Sequence, residues 1–96
     1  MVGWSLVAEN KECDGSEVIK GWAVQSIEAC SSLCKGVASM FIFGDGFYDL
    51  GCGRNLEDRC EGDGCKCYCE KSATAQGACN IIDHDGYCLY KYTAGD

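Results

Sequence analysis

The stretch Cys65-Lys66-Cys67-Tyr68-Cys69 places three cysteines at alternating positions, in a chain with ten cysteines among its 96 residues. This density is typical of small disulfide scaffolds in oxidising compartments. The cysteine count is even, so every thiol can have a partner. We therefore predict a disulfide-rich, secreted domain in which the run of three cysteines belongs to a strand that is bridged to another element.

The segment Ser26–Lys35 is predicted to form the one helix. Ser26 is a favourable N-cap, Glu28 falls in the first turn, and Gly36 suits the position just after the helix. One face of this helix collects the apolar and sulfur-bearing side chains, Ile27, Cys30, Leu33 and Cys34.

The cysteine spacings of this helix and of the Cys65–Cys69 run match. Cys30 and Cys34 are separated by a rise of about 6 Å along a helix, and alternate strand residues are about 6.6 Å apart on the same face. A helix with cysteines at i and i+4 can therefore form two bridges to a strand with cysteines at j and j+2, and the run offers two such pairs. We predict that sulfur, together with Ile27 and Leu33, fixes the helix on the sheet.

The remaining pattern predicts an α+β fold with about four to five strands. Residues 37–43 are apolar on both alternating faces, as in a central strand. Glycines and acidic residues interrupt any periodicity in 44–64, which is interpreted as an irregular loop. The other predicted strands are 4–9, 65–70 and 87–92, with a turn at 14–16 and a loop at 72–77.

Three of these segments resemble PAN/apple domains. Ser26–Lys35 is similar to their helix, with its Ser-x-Glu-x-Cys-x-x-x-Cys pattern, Met40–Phe43 to the aromatic strand that follows, and Cys67-Tyr68 to a later strand. The resemblance covers Cys13 to Tyr92. It implies a single domain over 1–96 with its core at 13–92, in which a curved antiparallel sheet folds around one helix, and it implies a role in adhesion to proteins or glycans.

The resemblance also implies two disulfides, Cys13–Cys88 and Cys30–Cys67. This chain departs from the family at Ala38, where the usual partner of the second helix cysteine is missing. Cys34 is therefore expected to pair with Cys65 or Cys69. Further bridges would join the remaining cysteines, which are Cys52, Cys60, Cys79 and the unused member of the run.

The charge and hydropathy of the chain restrict its partners and its location. A formal net charge of −7 disfavours nucleic acid and anionic membranes, which attract Lys and Arg. No apolar run approaches the roughly 20 residues that span a bilayer. We expect a secreted monomer or simple homodimer whose leader peptide has been removed.

Metal binding is considered for two groups of residues. Cys65, Cys67 and Cys69 lack the spacing of zinc knuckles, and His84 is the only histidine, so no zinc is expected. Asp83 and Asp85 precede Gly86 and supply the oxygen ligands that calcium prefers. Acidic residues beside a glycine more often form an ordinary solvated turn, so no cofactor is predicted, and calcium is kept only as the weaker alternative.

Catalysis is not expected. The chain has no Cys-x-x-Cys motif for thiol–disulfide exchange. Two carboxylates flank His84, but no residue is marked as a nucleophile for it to activate. We therefore predict a non-enzymatic protein.

Recognition of an extracellular protein or carbohydrate, as in a lectin or adhesion module, is the preferred hypothesis. The 44–64 loop combines aromatic rings with hydrogen-bonding groups; its candidate binding residues are Asp45, Phe47, Tyr48, Asp49 and Arg54. Alternatively, Phe47 and Tyr48 pack beneath their own loop. Other hypotheses for the whole protein are a secreted cohesive protein of a matrix, cement or capsule, and a small toxin or signalling ligand.

Overall fold

The computed structural model describes residues 3–44 and 65–93, apart from the side chains of Trp22, Ala23 and Asp85. Within these ranges the elements are β1 (Trp4–Cys13), β2 (Glu17–Val24), α1 (Ile27–Cys34), β3 (Met40–Gly44), β4 (Cys65–Glu70) and β5 (Ile81–Tyr92). The described strands form one sheet in the order β1-β5-β3-β4-β2. All neighbouring pairs are antiparallel. The predicted α+β, disulfide-rich architecture with a curved antiparallel sheet is confirmed at this level.

The sheet curls because its two edge strands are consecutive in the chain. β1 and β2 lie at opposite edges, yet only residues 14–16 join them. At this corner the N–H of Asp14 donates to the carbonyl of Asn80 over 2.7 Å, and the N–H of Ser72 donates to the carbonyl of Ser16 over 3.2 Å. Gly15 has φ +115°, and a Cβ there would lie 2.8 Å from Cβ of Ser72. A tight corner at glycine therefore brings the edges together.

The central strand β3 separates two cores. All five of its residues are buried, which confirms the prediction for a two-sided apolar strand. Side chains alternate across the sheet, so the buried residues fall into two groups. We call one the helix face, which includes Phe41, Phe43, Cys67, Cys69, Cys88 and Tyr90. The second face includes Met40, Ile42, Tyr87 and Leu89, with Tyr68 packed against them.

Helix α1 is fixed to the sheet by two disulfides, as the spacing predicted. Cys30 bonds to Cys67 and Cys34 to Cys69, with Cα–Cα distances of 5.5 and 5.3 Å. At the N-cap, the Ser26 hydroxyl accepts the N–H of Ala29 over 3.0 Å. The sequence left Cys65 and Cys69 as alternative partners of Cys34, and in the structure Cys34 bonds to Cys69.

Aromatic rings fill the rest of the helix face. The rings of Phe41 and Tyr90 stack with centroids 5.3 Å apart, and the Trp4 ring meets Tyr90 edge-on at 5.3 Å. Tyr92 packs on Phe41 and donates its hydroxyl proton to the Ser31 carbonyl in the helix. Tyr90 therefore belongs to the core of the helix face, and the partly buried Tyr92 packs against it.

The disulfide Cys13–Cys88 that the resemblance implied is wrong, because Cys13 bonds to Cys79. Cys13 lies opposite Ile81 in the β1–β5 pair, whereas Cys88 lies opposite Glu9. Cys88 is seven positions further along β5 than Ile81, or about 23 Å, which is far beyond disulfide reach. Cys65 and Cys88 are also disulfide-bonded, and none of the described cysteines is free.

Two further expectations are corrected. Leu33 is 44% exposed and does not hold the helix on the sheet, because Ile27, Cys30 and Cys34 occupy the buried side of this short helix. Strand β2 was not predicted at all. Its register shifts on both sides of Gly21, so the side chains do not keep the strict alternation by which a strand is recognised.

Strand boundaries differ from the prediction mainly where a turn was expected. β5 begins at Ile81 instead of Tyr87, since the segment Asp83–Gly86, read as a turn, is part of a strand that pairs with β1. β1 extends to Cys13, and β3 runs from Met40 to Gly44 instead of over the predicted 37–43. β4 has the predicted bounds.

Candidate functional site

The structure fixes where the predicted binding loop leaves and rejoins the sheet. The candidates Asp45, Phe47, Tyr48, Asp49 and Arg54 lie outside the described residues, so their role stays a prediction. The flanking residues are described: Gly44 ends β3 and Cys65 begins β4. These are adjacent antiparallel strands, in which Gly44 pairs with Lys66. Both ends of segment 45–64 are therefore held side by side in the middle of the sheet.

This anchor is sterically tight. A Cβ on Gly44 would lie 1.9 Å from the carbonyl oxygen of Gly86, so only glycine fits there. Gly86 in turn donates its N–H to Oδ1 of Asn10 over 3.1 Å. Asn10 has φ +56° and sits at a register shift of β1, which is the left-handed conformation that asparagine tolerates. Three strands are thus locked together next to the loop.

A second feature is a cluster of three carboxylates, Glu12, Glu17 and Glu70, at the corner where β1 leads into β2. One oxygen from each residue lies within 4.8 Å of the others. Glu17 and Glu70 are direct cross-strand partners in the β2–β4 pair. Like charges in this arrangement repel.

Glu70 is the central member of the cluster, because its side chain is fully buried. Its Oε2 accepts the backbone N–H of Cys13 over 2.6 Å. Its Oε1, and Oε2 of Glu17, are buried without a hydrogen-bond partner. Two facing carboxylates offer no donor to each other, so these oxygens need a proton or a cation between them.

The electrostatics of the cluster follow from this burial. Burial raises the pKa of Glu70 to about 9, and the neighbouring Glu17 acts in the same direction, through its charge and because a proton on Glu70 can be shared with it, while the N–H of Cys13 opposes the rise. Burial also raises the pKa of Glu12, with Glu17 adding to the rise and His84 reducing it. The folded protein therefore retains a proton at Glu70 at neutral pH when no other cation is present.

His84 and two tyrosines border the cluster. Nε2 of His84 lies 3.9 Å from Oε2 of Glu12. The imidazole stacks on the Tyr87 ring at 4.2 Å, and Tyr87 meets Tyr68 edge-on at 5.7 Å. Burial raises the pKa of Tyr87 above its ordinary value, and a hydrogen bond with Tyr68 and the charges of Glu12 and Glu17 contribute.

The arrangement is unsuited to acid–base catalysis. A general acid must reach a proton on the substrate within hydrogen-bond distance, and Glu70 exposes no surface for this. The cluster can hold a charge between its members instead.

The cysteine cluster is chemically different. The sulfur atoms of Cys30, Cys34 and Cys67 also lie within 4.8 Å of one another. All three are disulfide-bonded, whereas zinc is bound by thiolates. These sulfurs therefore stabilise the fold and do not bind metal.

Of the two calcium candidates from the sequence, Asp83 does not belong to the carboxylate cluster. Asp83 forms an ion pair with Lys11, its cross-strand partner. The side chain of Asp85 is among those the structure does not describe. Calcium binding by this pair stays a prediction.

Sequence reasoning missed the carboxylate cluster because its members come from three strands. Glu12 is the penultimate residue of β1, Glu17 begins β2 and Glu70 ends β4. One signal was available in the sequence. Glu70 directly follows Cys69 in the strand of cysteines, and since side chains alternate along a strand, its side chain points to the second face. The partners could be found only once β2 was recognised and placed beside β4.

Comparison of the chain with protein-family models, with curated proteins and with solved structures finds no match. Among the described residues, no helix has the length and apolar character that a membrane span requires.

Proposed function

We propose that the protein is a secreted, non-catalytic recognition module with a PAN/apple-like fold, and that it binds an extracellular protein or carbohydrate through the 44–64 loop. The observation that carries this proposal is the loop anchor. Gly44 and Lys66 pair directly on two central strands, so the loop starts and ends at one fixed point of the sheet.

A loop on a rigid scaffold is the usual way in which small domains present a binding surface. Here the scaffold is stiffened near both ends of the loop. Cys67 and Cys69 of β4 are bonded to the helix, and Gly44 packs against the backbone of Gly86. Because the anchor is already ordered, less conformational entropy is lost when the loop binds a ligand.

The disulfides support the proposed location. Three are described, Cys13–Cys79, Cys30–Cys67 and Cys34–Cys69, and Cys65 and Cys88 are bonded as well. Cysteines paired to this extent persist outside the cell and in other oxidising compartments, and are rare in the cytosol.

The loop sequence supports a ligand with both apolar and polar groups. Phe47 and Tyr48 are adjacent aromatic residues that can stack on a sugar ring or fill a pocket of a partner. Asp45, Asp49 and Arg54 add hydrogen-bonding groups. Several tyrosines of the described chain pack in the core, so the loop is the better source of binding aromatics.

The test is a glycan array, together with binding to immobilised extracellular matrix proteins, with the oxidised full chain. Phe47→Ala and Tyr48→Ala should each reduce binding at least about tenfold, as for aromatic hot spots. The control is Ile19→Ala, which truncates a side chain that is 51% exposed on β2. Unchanged binding by both loop variants would remove the loop assignment, and loss of binding in the Ile19 control would move the contact to the sheet edge.

A cohesive structural protein is the second candidate, and exposed apolar side chains favour it. These lie on four elements of the described chain and are Leu6, Val7, Ile19, Leu33, Ile81 and Ile82. Self-assembly through such residues would appear in light scattering as association that grows with concentration. A monomer or a defined dimer is expected for a recognition module.

A further inference from the structure

We propose that Glu12, Glu17 and Glu70 form a calcium site at the corner between β1 and β2. Its residues are not the sequence candidates Asp83 and Asp85, and in the sequence they lie outside segment 44–64. Its ligands are carboxylate oxygens from three strands.

The geometry suits calcium. Calcium binds oxygen ligands at 2.3–2.6 Å, so two ligands on opposite sides of one ion are about 5 Å apart. One oxygen from each of the three glutamates lies within 4.8 Å of the others, so a single ion can contact all three. Calcium also tolerates irregular coordination and retains waters, whereas zinc prefers nitrogen and sulfur ligands.

The buried oxygen of Glu70 points independently to a ligand. Glu70 exposes none of its side chain, and its Oε1 has no hydrogen-bond partner. Its other oxygen is oriented by the N–H of Cys13. A buried polar atom without a partner is costly, and this one faces Glu17, whose buried Oε2 also has no partner. A cation placed between the two oxygens satisfies both.

The corner is fixed before any ion binds. Cys13, which holds Glu70, is bonded to Cys79. Backbone hydrogen bonds from Asp14 to Asn80 and from Ser72 to Ser16 close the same corner on both sides. The ligands therefore need little rearrangement, which lowers the cost of binding.

The charge balance also favours a divalent ion. Three ionised carboxylates carry three negative charges, and Asp14 adds a further negative influence on Glu12. The positive influence on Glu12 comes from His84, 3.9 Å away. A calcium ion would offset two of the three negative charges.

The site is far from the point where the 44–64 loop rejoins the sheet, so the two proposals fail separately. The loop rejoins the sheet at Cys65, and Glu70 is the last residue of the same strand. Five residues of strand separate them by about 16 Å. Loss of calcium binding therefore leaves the loop proposal intact, and the reverse also holds.

The experiment is a calcium chloride titration of the oxidised full chain after EDTA treatment, followed by calorimetry and by terbium luminescence under tyrosine excitation. One ion per chain is expected, with a dissociation constant on the order of 10⁻⁴–10⁻³ M, the range of extracellular calcium modules. Terbium emission should fall when calcium is added. Tyr87→Phe should reduce the terbium emission more than it reduces the affinity for calcium. Tyr87 lies close enough to Glu12 and Glu17 for their charges to raise its pKa.

The decisive variants remove one carboxylate each. Glu70→Gln and Glu17→Gln should weaken calcium binding at least about tenfold, whereas Glu9→Gln, which removes the same charge from an exposed position on β1, should change it less than about twofold. Glu12→Gln removes a ligand but keeps the hydrogen bond from the Cys13 N–H to the Glu70 carboxylate. Equal affinity of wild type, Glu70→Gln and Glu12→Gln, absence of binding at 10 mM calcium, or binding of zinc in place of calcium would overturn the proposal.

Discussion

The two faces of the central strand β3 are stabilised by different chemistry. The helix face is packed with disulfides and aromatic rings, such as Cys30–Cys67 and the Phe41–Tyr90 stack. The second face joins apolar residues to tyrosines, and the buried carboxylate of Glu70 lies on the same side of β4 as Tyr68. The second face also holds the Cys13–Cys79 disulfide, so reduction affects both faces. Among the described residues, only the second face also depends on what neutralises a buried carboxylate. A change of pH therefore distinguishes the two faces.

The largest effect is expected from the disulfide of the helix face. Cys30→Ala with Cys67→Ala should lower the free energy of unfolding by about 4 kcal/mol, because the closed loop no longer restricts the unfolded chain. Guanidinium unfolding under non-reducing conditions measures this loss. The matched control, Cys13→Ala with Cys79→Ala, removes a bridge of sequence separation 66 instead of 37 and should cost a similar amount.

These two double variants also separate the faces. The helix-face variant should keep the pH dependence of stability described next, since the surroundings of Glu70 are unchanged. A flattened pH profile in the helix-face variant would show that the faces are coupled.

The next effect is the pH dependence of the second face. The pKa of Glu70 is raised by burial to about 9 from an ordinary 4.5, so between these values the folded state binds a proton that the unfolded chain releases. Stability is therefore full below about pH 4.5 and declines as pH rises to about 9, by up to about 1.4 kcal/mol per pH unit. In EDTA, unfolding free energies at pH 6 and pH 8 should differ by about 3 kcal/mol.

Glu70→Gln is the matched variant for this pH dependence. The amide keeps an acceptor for the Cys13 N–H and cannot ionise, so the decline between pH 6 and pH 8 should largely disappear. The variant should be more stable than wild type at pH 8. A decline as steep as that of wild type would contradict the assignment to Glu70.

A smaller effect is expected at the end of β3, where Gly44 packs against the backbone of β5. Gly44→Ala should destabilise the protein by about 2 kcal/mol or more, as overpacking does, because its Cβ would lie 1.9 Å from the Gly86 oxygen. Gly36→Ala is the control. Gly36 has φ +80° but nothing within 4 Å of its Cβ position, so about 1 kcal/mol of backbone strain is expected. Thermal unfolding of the two variants side by side tests whether Gly44→Ala destabilises the protein more than Gly36→Ala does.

The smallest effect compares one tyrosine hydroxyl on each face. Tyr92→Phe removes the hydrogen bond to the Ser31 carbonyl and should cost about 1 kcal/mol. Tyr68→Phe removes the hydrogen bond with Tyr87 on the second face and should cost a similar amount. Urea midpoints of the two variants give the comparison, and a loss above about 3 kcal/mol in either would point to a role beyond one hydrogen bond.

Several features of the fold could be predicted because they depend on short-range periodicity. Ser26 as N-cap, the burial of residues 40–43 and the bounds of β4 follow from patterns a few residues long. Strand β2 could not be predicted, since register shifts around Gly21 break its alternation. Segment 83–86 reads locally as a turn, but pairing with β1 keeps it in a strand.

The helix and the strand of cysteines could be predicted from the sequence, and the similar helical and strand repeats favoured bridges from Cys30 and Cys34 to the Cys65–Cys69 run. That Cys13 bonds to Cys79, and that Glu12, Glu17 and Glu70 meet, is visible only in the folded chain. Both depend on the curl that brings the edge strands together at Gly15. Contacts between residues far apart in sequence follow from strand order and register, which no local pattern encodes.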